Sequence, residues 1–517
     1  MLERKIIIGL ITSTEFIQEI RAVWSHRYLS TSLAKRLAGW CLEYYDKYNK
    51  APGKDIEGIY YQKLKEGLPE VLAEEIEQDI LPGLSDEYVN QPINIEYLLD
   101  QTKTFIQEKR LLLHAKEIEG LVDTGELAEA ESKALNFLAN TTPNRNELDL
   151  GKDENIEEKI EKAFDDTQHP VVSYGQAIGK FWNDQLVRGG FVSLMGIEKR
   201  GKTFWLMDIA IRGARGKANV VFFQAGDMTE AQQLKRLCAH LAKKSRLKKH
   251  AGEMYEPVRD CVLNQRDACD KEGIRACNFG VFETRTEAEI RNNVTMKDII
   301  KAFEANPDYK PCYNCSEYST NVSRKLGATW VKKINVPFLS VKDAKEEIKK
   351  FFTKYKSRFK LATYTKGSLS IKEIKSVLSI WEKEDGFVPD LIIIDYADIL
   401  APDDRKMEFR QQQNQIWMDM GGLAQERHCL VVTATQVDAK SYDKDRLSMG
   451  NFSEDKRKYG HVTAMYGLNQ DSKGREKKMG MMVLNEIVVR EGDFSTSSEV
   501  RVLQNLNKSN PCIASFW

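Results

Sequence analysis

The feature that most constrains this chain is an eight-residue run, Gly196-Ile-Glu-Lys-Arg-Gly201-Lys202-Thr203. It matches the pattern G-x-x-x-x-G-K-[ST] and lies between a predicted strand (191–195) and a predicted helix (204–212). Glycines let backbone N–H groups surround phosphates, and the amino terminus of the next helix adds partial positive charge. We predict a triphosphate site in which Lys202 contacts the β- and γ-phosphates and Thr203 holds Mg²⁺. The predicted nucleotide contacts are Gly196, Glu198, Lys199, Arg200, Gly201, Lys202, Thr203 and Phe204.

The pattern around this loop predicts an α/β domain over residues 170–517. Short apolar runs alternate with helical stretches, which is typical of a largely parallel sheet. The runs are GGFVSLMG, NVVFFQAGD, LATYTK, PDLIIIDYADIL, HCLVVTATQ and MMVLNEIVVREG. A Lys-rich, Cys-containing stretch at about 240–345 interrupts the alternation. We interpret it as an insertion between a helix and the next strand.

The first third of the chain is predicted to be helical. Apolar residues recur at helical spacing in SLAKRLAGWCLEYYDKY, and Ala51-Pro52-Gly53 then breaks the pattern before a second helix at 56–66. One or two helices are predicted within 93–140, followed by a polar linker with a short helix at 141–169. We assign 1–90 to a helical N-terminal domain and 91–169 to a helical linker region.

The composition excludes some classes of protein. No apolar run approaches the roughly 18–20 residues that span a bilayer, and the N-terminus lacks a cleavable signal, so we expect a cytoplasmic protein with no membrane partner. Lys+Arg and Asp+Glu are both 77, so a basic total does not point to nucleic acid. Neutrality does not exclude it either, because a binding surface needs only local positive charge.

Three polar residues are predicted to end core strands beside the phosphate loop. Asp395 follows the apolar run 391–394 and suits a Walker B carboxylate that helps hold Mg²⁺. Gln436 follows 431–435 and suits a γ-phosphate sensor, although a solvated strand end is the alternative. Asp227 follows 222–226 and suits the base that orients the attacking water, although such turns often carry a capping Asp.

The nine cysteines are unevenly distributed. Cys312-Tyr-Asn-Cys315 is a CxxC pair, and three more thiols precede it at intervals of eight residues, Cys261, Cys269 and Cys277. We predict a structural Zn²⁺ held by four of these five thiolates, tying together an insertion with little apolar core. Free cysteines are the alternative, and His240 and His250 are weaker ligand candidates.

The order of these motifs resembles the C-terminal ATPase domain of DnaB-type replicative helicases. The phosphate loop, the pair Asp227-Met228, IIIDYADIL and TATQ carry the resemblance, together with Val489-Arg490-Glu491-Gly492, which is similar to the family's R-x-G segment. It covers roughly 170–240 and 360–500; the N-terminal likeness is one of pattern only. The implied fold is a RecA-like P-loop ATPase with a mostly parallel sheet, preceded by an all-helical N-terminal domain and helical linker.

The resemblance also implies a function. An ATP- and Mg²⁺-dependent DNA helicase would assemble as a homo-oligomeric, hexameric ring, with Arg490 acting on the neighbouring subunit's nucleotide. It would translocate on single-stranded DNA, unwind forked DNA, and work with a primase, a helicase loader and a single-strand binding protein. Two loops (402–412 and 437–461) would face the DNA, unless they are ordinary solvated loops. Their candidate DNA contacts are Arg405, Lys406, Arg410, Lys440, Lys444, Arg446, Lys456 and Arg457, with Lys458 beside them.

Three departures from the family pattern matter. The family usually has Glu at the position of Asp227 and Lys at the position of Val488, and its ordinary bacterial members lack the Cys-bearing insertion. The insertion looks like a variant found among phage-encoded relatives, which would place the protein in a host cytoplasm. Two other functions stay open, a RecA-like translocase or recombination ATPase, and a slow nucleotide-binding scaffold that loads replication partners. DNA-stimulated hydrolysis would distinguish them.

Overall fold

The chain divides into two compact units, Met1–Glu147 and Leu148–Trp517. The computed structural model describes residues 2–69, 73, 76, 94–134, 160–161, 169–315 and 326–517, except 128, 131–132, 272, 357, 404, 439–440, 452–455, 491, 493 and 496. Most of the second helix predicted in 93–140, and the linker up to residue 168, therefore lie outside the described residues. No helix in the described ranges is long and apolar enough to cross a membrane.

The first unit is helical, as its sequence predicts. Its helices are α1 (Leu2–Thr12), α2 (Thr14–Ile20), α3 (Ser32–Tyr48), α4 (Asp55–Lys65) and α5 (Ile95–Asp123). The Thr31 hydroxyl accepts a hydrogen bond from the backbone N–H of Ala34 and so caps α3, which ends at Asn49 in the left-handed region before the Pro52-Gly53 break. One apolar core joins Ile6 of α1, Leu37 of α3 and Leu98 of α5.

The second unit is built on a nine-stranded sheet. Its strands are β1 (Phe191–Gly196), β2 (Val220–Gln224), β5 (Phe359–Thr363), β6 (Leu391–Asp395), β7 (Leu430–Gln436), β8 (Ala464–Asn469), β9 (Met481–Val489), β10 (Glu499–Asn505) and β11 (Asn510–Phe516). Their order is β11-β10-β9-β8-β1-β7-β6-β2-β5. The six strands from β8 to β5 are parallel, and β9, β10 and β11 continue the sheet in antiparallel fashion.

Helices cover both faces of this sheet. On one face lie α6 (Gln176–Trp182), α7 (Lys202–Arg215), α8 (Glu230–Ala242) and α12 (Val341–Tyr355). On the other lie α13 (Ile371–Asp385) and α14 (Phe409–Glu426). Within β6, Ile393 packs into the first layer and Ile392 into the second, which explains why this strand is apolar at successive positions. The carboxyl ends of the parallel strands meet at one edge, where α7 begins.

The insertion is a separate layer beside the antiparallel strands. It contains an antiparallel pair, β3 (Gly252–Cys261) with β4 (Gly327–Val336), and the short helices α9 (Val262–Gln265), α10 (Glu287–Asn292) and α11 (Met296–Ala305). It lies between α8 and α12, so a helix separates it from the next strand, β5. Trp330, Ile299 and Val262 form an apolar core that continues into Leu503 and Phe516 of the main sheet. The apolar core of the insertion is therefore larger than the little that its sequence predicted.

Candidate nucleotide site

The loop between β1 and α7 has the geometry of a phosphate cradle. Gly201 adopts φ +92°, which favours glycine, and α7 begins at the next residue. The Lys202 ammonium donates to the carbonyl oxygens of Gly196 (2.7 Å) and Ile197 (3.1 Å), so it is folded over the loop. Burial lowers the pKa of Lys202 to about 8, and the carboxylates of Asp398 and Asp395 oppose that shift. A phosphate group at this position would favour the charged ammonium.

A hydroxyl and a carboxylate meet beside this loop. The Thr203 hydroxyl lies 3.4 Å from Oδ1 of Asp395 and donates to it. Asp395 is buried, and burial raises its pKa to about 6. Its Oδ2 is buried without a hydrogen-bond partner in the described part of the chain. Hydroxyl and carboxylate oxygens are the ligands that Mg²⁺ prefers, and a buried carboxylate oxygen without a hydrogen-bond partner suits this role, so these residues fit Mg²⁺.

Two further residues converge on this corner and were missed by the sequence analysis. Gln224 ends β2 next to Asp395 in the sheet register, is fully buried, and has no hydrogen-bond partner among the described residues for either side-chain amide atom. Arg236 of α8 has its guanidinium 5.5 Å from the ring centroid of Phe204, and its buried Nε has no partner in the same ranges. Burial lowers the pKa of Arg236, while the charges of Asp395 and Asp227 raise it.

Unpartnered buried polar atoms are costly in a folded protein, so the four at this corner make it a candidate ligand site. A signal for Gln224 was present in the sequence, because it ends a core strand in the same way as Gln436. Nothing local distinguishes Arg236 from other helical arginines.

Asp227 lies in the exposed turn after β2. Its negative charge helps to raise the pKa of both Asp395 and Lys202, which shows that it faces the same corner. The turn depends on Gly226, whose φ is +110° and whose missing Cβ would lie 2.2 Å from the backbone nitrogen of Lys366. The structure thus brings Asp227 to the site, and its role as a base stays a prediction.

Gln436 and the residues around it form a hydrogen-bonded group at the carboxyl end of β7. The Gln436 amide donates to the Tyr396 hydroxyl (3.0 Å), and its backbone N–H donates to Asp398 (3.0 Å). Asp398 also accepts from the Thr435 hydroxyl (2.9 Å) and pairs with the ammonium of Lys458 (2.7 Å). Lys458 is fully buried, with its ammonium 5.5 Å from the ring centroid of Trp417. It is therefore a structural cation, in contrast to its predicted place in a solvent-facing loop.

Arg490 is exposed and follows the last residue of β9. The antiparallel register places this end of β9 beside Ala464, the first residue of β8. The phosphate loop lies at the opposite edge of the sheet, about 20 Å away for a six-residue strand. Arg490 therefore lies too far from the phosphate loop of its own chain to reach a nucleotide there.

The two predicted DNA loops are only partly described. Arg405, Lys406, Arg410, Lys444 and Arg457 are exposed, whereas Lys440 lies outside the described residues and nothing is described of the Lys456 side chain. Arg446 forms salt bridges with Glu476 (3.0 Å) and Glu499 (2.8 Å), so its guanidinium is engaged within the protein. The exposed cations remain the predicted DNA contacts.

The cysteines of the insertion do not support the predicted Zn²⁺ site. Among the described residues, which include all five, no group of three or more His, Cys, Asp or Glu side chains is arranged to hold a metal ion. Cys261, Cys277 and Cys312 are buried, while Cys269 and Cys315 are partly exposed. Burial raises the pKa of Cys261 to about 11, which favours the neutral thiol. The insertion has an apolar core around Trp330.

The weaker ligand candidates His240 and His250 do not belong to a metal-ligating group among the described residues either. His240 is buried against Asp208, with 3.3 Å between His240 Nε2 and an Asp208 oxygen, and burial lowers its pKa. His250 lies in the turn before β3.

The fold and the site together define a P-loop α/β protein, with a glycine-rich loop after β1 and a carboxylate at the end of β6. Comparison with solved structures goes one step further. A DnaB-like replicative helicase, whose structure was described with its interactions with primase, matches 98% of this chain and 98% of its own length, with a TM-score of 0.57 and 13% sequence identity. This chain has the fold of a DnaB-like replicative helicase.

A second solved structure, an isolated ATPase domain, matches 69% of this chain and 94% of its own length, with a TM-score of 0.40 and 13% identity. No protein-family model matches the chain. No curated protein matches it in sequence.

Proposed function

We propose that this protein is an ATP-dependent replicative DNA helicase that works as a ring. The observation that carries nucleotide hydrolysis is the corner where Lys202, Thr203 and Asp395 meet the unpartnered polar atoms of Gln224 and Arg236. Such groups, aimed at the place where phosphate charge develops, are what phosphoryl transfer requires. We infer that DNA is the substrate because the chain has the fold of a DnaB-like replicative helicase.

Each residue has a role in this proposal. Lys202 and the loop amides hold the phosphates, while Thr203 and Asp395 hold Mg²⁺, which would neutralise phosphate charge. Asp227 orients the attacking water. Gln436 detects the γ-phosphate and is held in place by Tyr396 and Asp398.

The ring is proposed from the position of Arg490. Because this arginine lies at the sheet edge opposite its own phosphate loop, it is available to a neighbouring subunit. A ring with one active site per interface, six in the helicase family, would satisfy that geometry. The exposed cations Arg405, Arg410 and Lys444 would then contact single-stranded DNA through its phosphates. A primase is the partner suggested by the related structure, with a loader and a single-strand binding protein as further partners.

Unwinding of forked DNA with ATP and Mg²⁺ tests the proposal, with Lys202→Ala as the inactive control. We expect unwinding by the natural protein and none by the variant. DNA-stimulated hydrolysis without unwinding would instead favour a translocase, and nucleotide binding without DNA-stimulated hydrolysis would favour a scaffold.

A mixing experiment tests the shared active site. Lys202→Ala subunits keep Arg490, and Arg490→Ala subunits keep the phosphate loop. Each should be inactive alone, but mixed rings contain interfaces with both groups intact and should recover part of the hydrolysis. If Arg490→Ala hydrolyses ATP normally by itself, the role of Arg490 across the interface is wrong.

A further inference from the structure

The order of strands sets the direction in which a nucleotide would lie. β1, which carries the phosphate loop, has β7 and β6 on one side and β8 on the other. Asp395 and Gln436, which are assigned to Mg²⁺ and the γ-phosphate, are the last residues of β6 and β7. A nucleotide lying along this edge with its γ-phosphate at Asp395 must therefore direct its base and ribose toward β8.

A cavity of about 300 Å³ opens on that side. Arg200 of the phosphate loop, Gln470 after β8 and Leu506 of the β10–β11 turn form part of its lining. The insertion contributes Met254, Tyr255 and Pro257 of β3 to the wall, together with Met296 of α11. Three exposed lysines, Lys199, Lys477 and Lys478, complete the rim.

The chemistry of this cavity suits a nucleoside attached to phosphates. The Met254 thioether, the Tyr255 ring and the apolar side chains of Pro257 and Leu506 offer a surface for a flat heterocycle. The side-chain oxygens of Gln470 and Asn505 offer acceptors for its polar edge, whereas their amide nitrogens already donate to Met481 and Glu256. Two of the cations, Lys199 and Arg200, belong to the phosphate loop itself.

The insertion is also linked to the phosphate loop through the β10–β11 turn. Glu256 of β3 is buried, accepts a hydrogen bond from the Asn505 amide (3.1 Å), and pairs with Lys508 and Lys332. These bonds hold the β10–β11 turn, in which Leu506 lies against Gly201: the nearest atom to a Cβ built on that glycine is Leu506 Cδ1, at 3.4 Å. The insertion is thus connected to the nucleotide site through contacts as well as through the cavity.

We propose that the insertion is a nucleotide-binding element, in which Met254, Tyr255 and Pro257 form the wall that receives the base and ribose. This rests on the proposed function, since it presumes a nucleotide on the phosphate loop. It assigns to the Cys-bearing segment a role in nucleotide affinity that requires no metal.

Two ligands distinguish binding in the cavity from binding at the phosphate loop alone. ADP with Mg²⁺ would engage both the phosphate loop and the cavity, whereas inorganic tripolyphosphate with Mg²⁺ would engage the loop alone. Calorimetric titration of the full-length protein gives the affinity for each. Met254→Ala removes apolar contact from the wall, and Ile274→Ala, an exposed apolar residue of the same insertion that does not line the cavity, is the matched control.

We expect Met254→Ala to weaken ADP binding about tenfold, the effect of losing roughly 1.4 kcal/mol of contact, with less than a twofold change for tripolyphosphate. Met254→Leu should retain the natural affinity, and Ile274→Ala should change neither ligand. Unchanged ADP binding by Met254→Ala, or equal weakening of both ligands, would overturn the proposal. If the natural protein bound neither ligand, the proposed function would fail as well.

Discussion

Lys458 and Asp398 form a buried ion pair, whereas the sequence alone placed Lys458 in a loop (437–461) that faces DNA. This difference gives a prediction. Lys458→Met removes the ammonium but keeps an apolar chain against Trp417. Removing one partner of a buried ion pair costs about 3–5 kcal/mol, because the other charge stays buried without compensation. Asp398 is 13% exposed and keeps its bonds from Thr435 and Gln436, so we expect the lower end of that range.

Urea unfolding followed by tryptophan fluorescence measures this cost, because Trp417 lies beneath the pair. Lys444→Met is the matched control, since Lys444 is an exposed lysine of the same loop and such substitutions usually stay within about 0.5 kcal/mol. We expect the free energy of unfolding to fall by about 3 kcal/mol for Lys458→Met and to change little for Lys444→Met. Equal effects of the two substitutions would refute the buried pair.

A double-mutant cycle sharpens the same test. Asp398→Asn combined with Lys458→Met should cost less than the sum of the two single changes, with a coupling of at least about 1 kcal/mol. Additive costs would show that the two side chains do not interact. Because Asp398 accepts the backbone N–H of Gln436, Lys458→Met should also reduce DNA-stimulated hydrolysis, and Lys458→Arg should restore part of it.

Three further predictions concern single residues. Burial raises the pKa of Asp395 to about 6, so a proton competes with Mg²⁺ for this carboxylate below that pH. The Mg²⁺-dependent affinity for ADP should therefore fall by up to about tenfold per pH unit in that range. Asp395→Asn should abolish this pH dependence when ADP is titrated at several pH values. Gly226→Ala places a Cβ 2.2 Å from the Lys366 nitrogen, so hydrolysis should drop at least tenfold while circular dichroism still shows a folded protein. Asp260 accepts bonds from the Tyr309 hydroxyl and the Cys312 N–H, so Asp260→Asn should cost about 2 kcal/mol and speed amide hydrogen exchange within the insertion; unchanged exchange would contradict this.

The sequence determined the features that depend on local pattern. The phosphate loop was predictable because glycine spacing, the Lys-Thr pair and the flanking strand and helix lie within about twenty residues. β6 was predictable because a strand buried on both faces is apolar at every position, and α3 because its apolar residues repeat at helical spacing. The position of Asp395 beside Thr203 followed from the rule that parallel strands end at one edge.

Tertiary structure decided whatever depends on which distant segments meet. Gln224 and Arg236 become site residues because β2 and α8 bring them to Asp395, and Lys458 becomes a buried cation because Asp398 lies beside it. The sequence around the cysteines suggested a metal, whereas packing supplied an apolar core through Trp330, Leu503 and Phe516, residues separated by nearly two hundred positions. A charged or thiol side chain has the same local sequence whether it is solvated, paired or buried, and only its neighbours in space determine which state has the lower free energy.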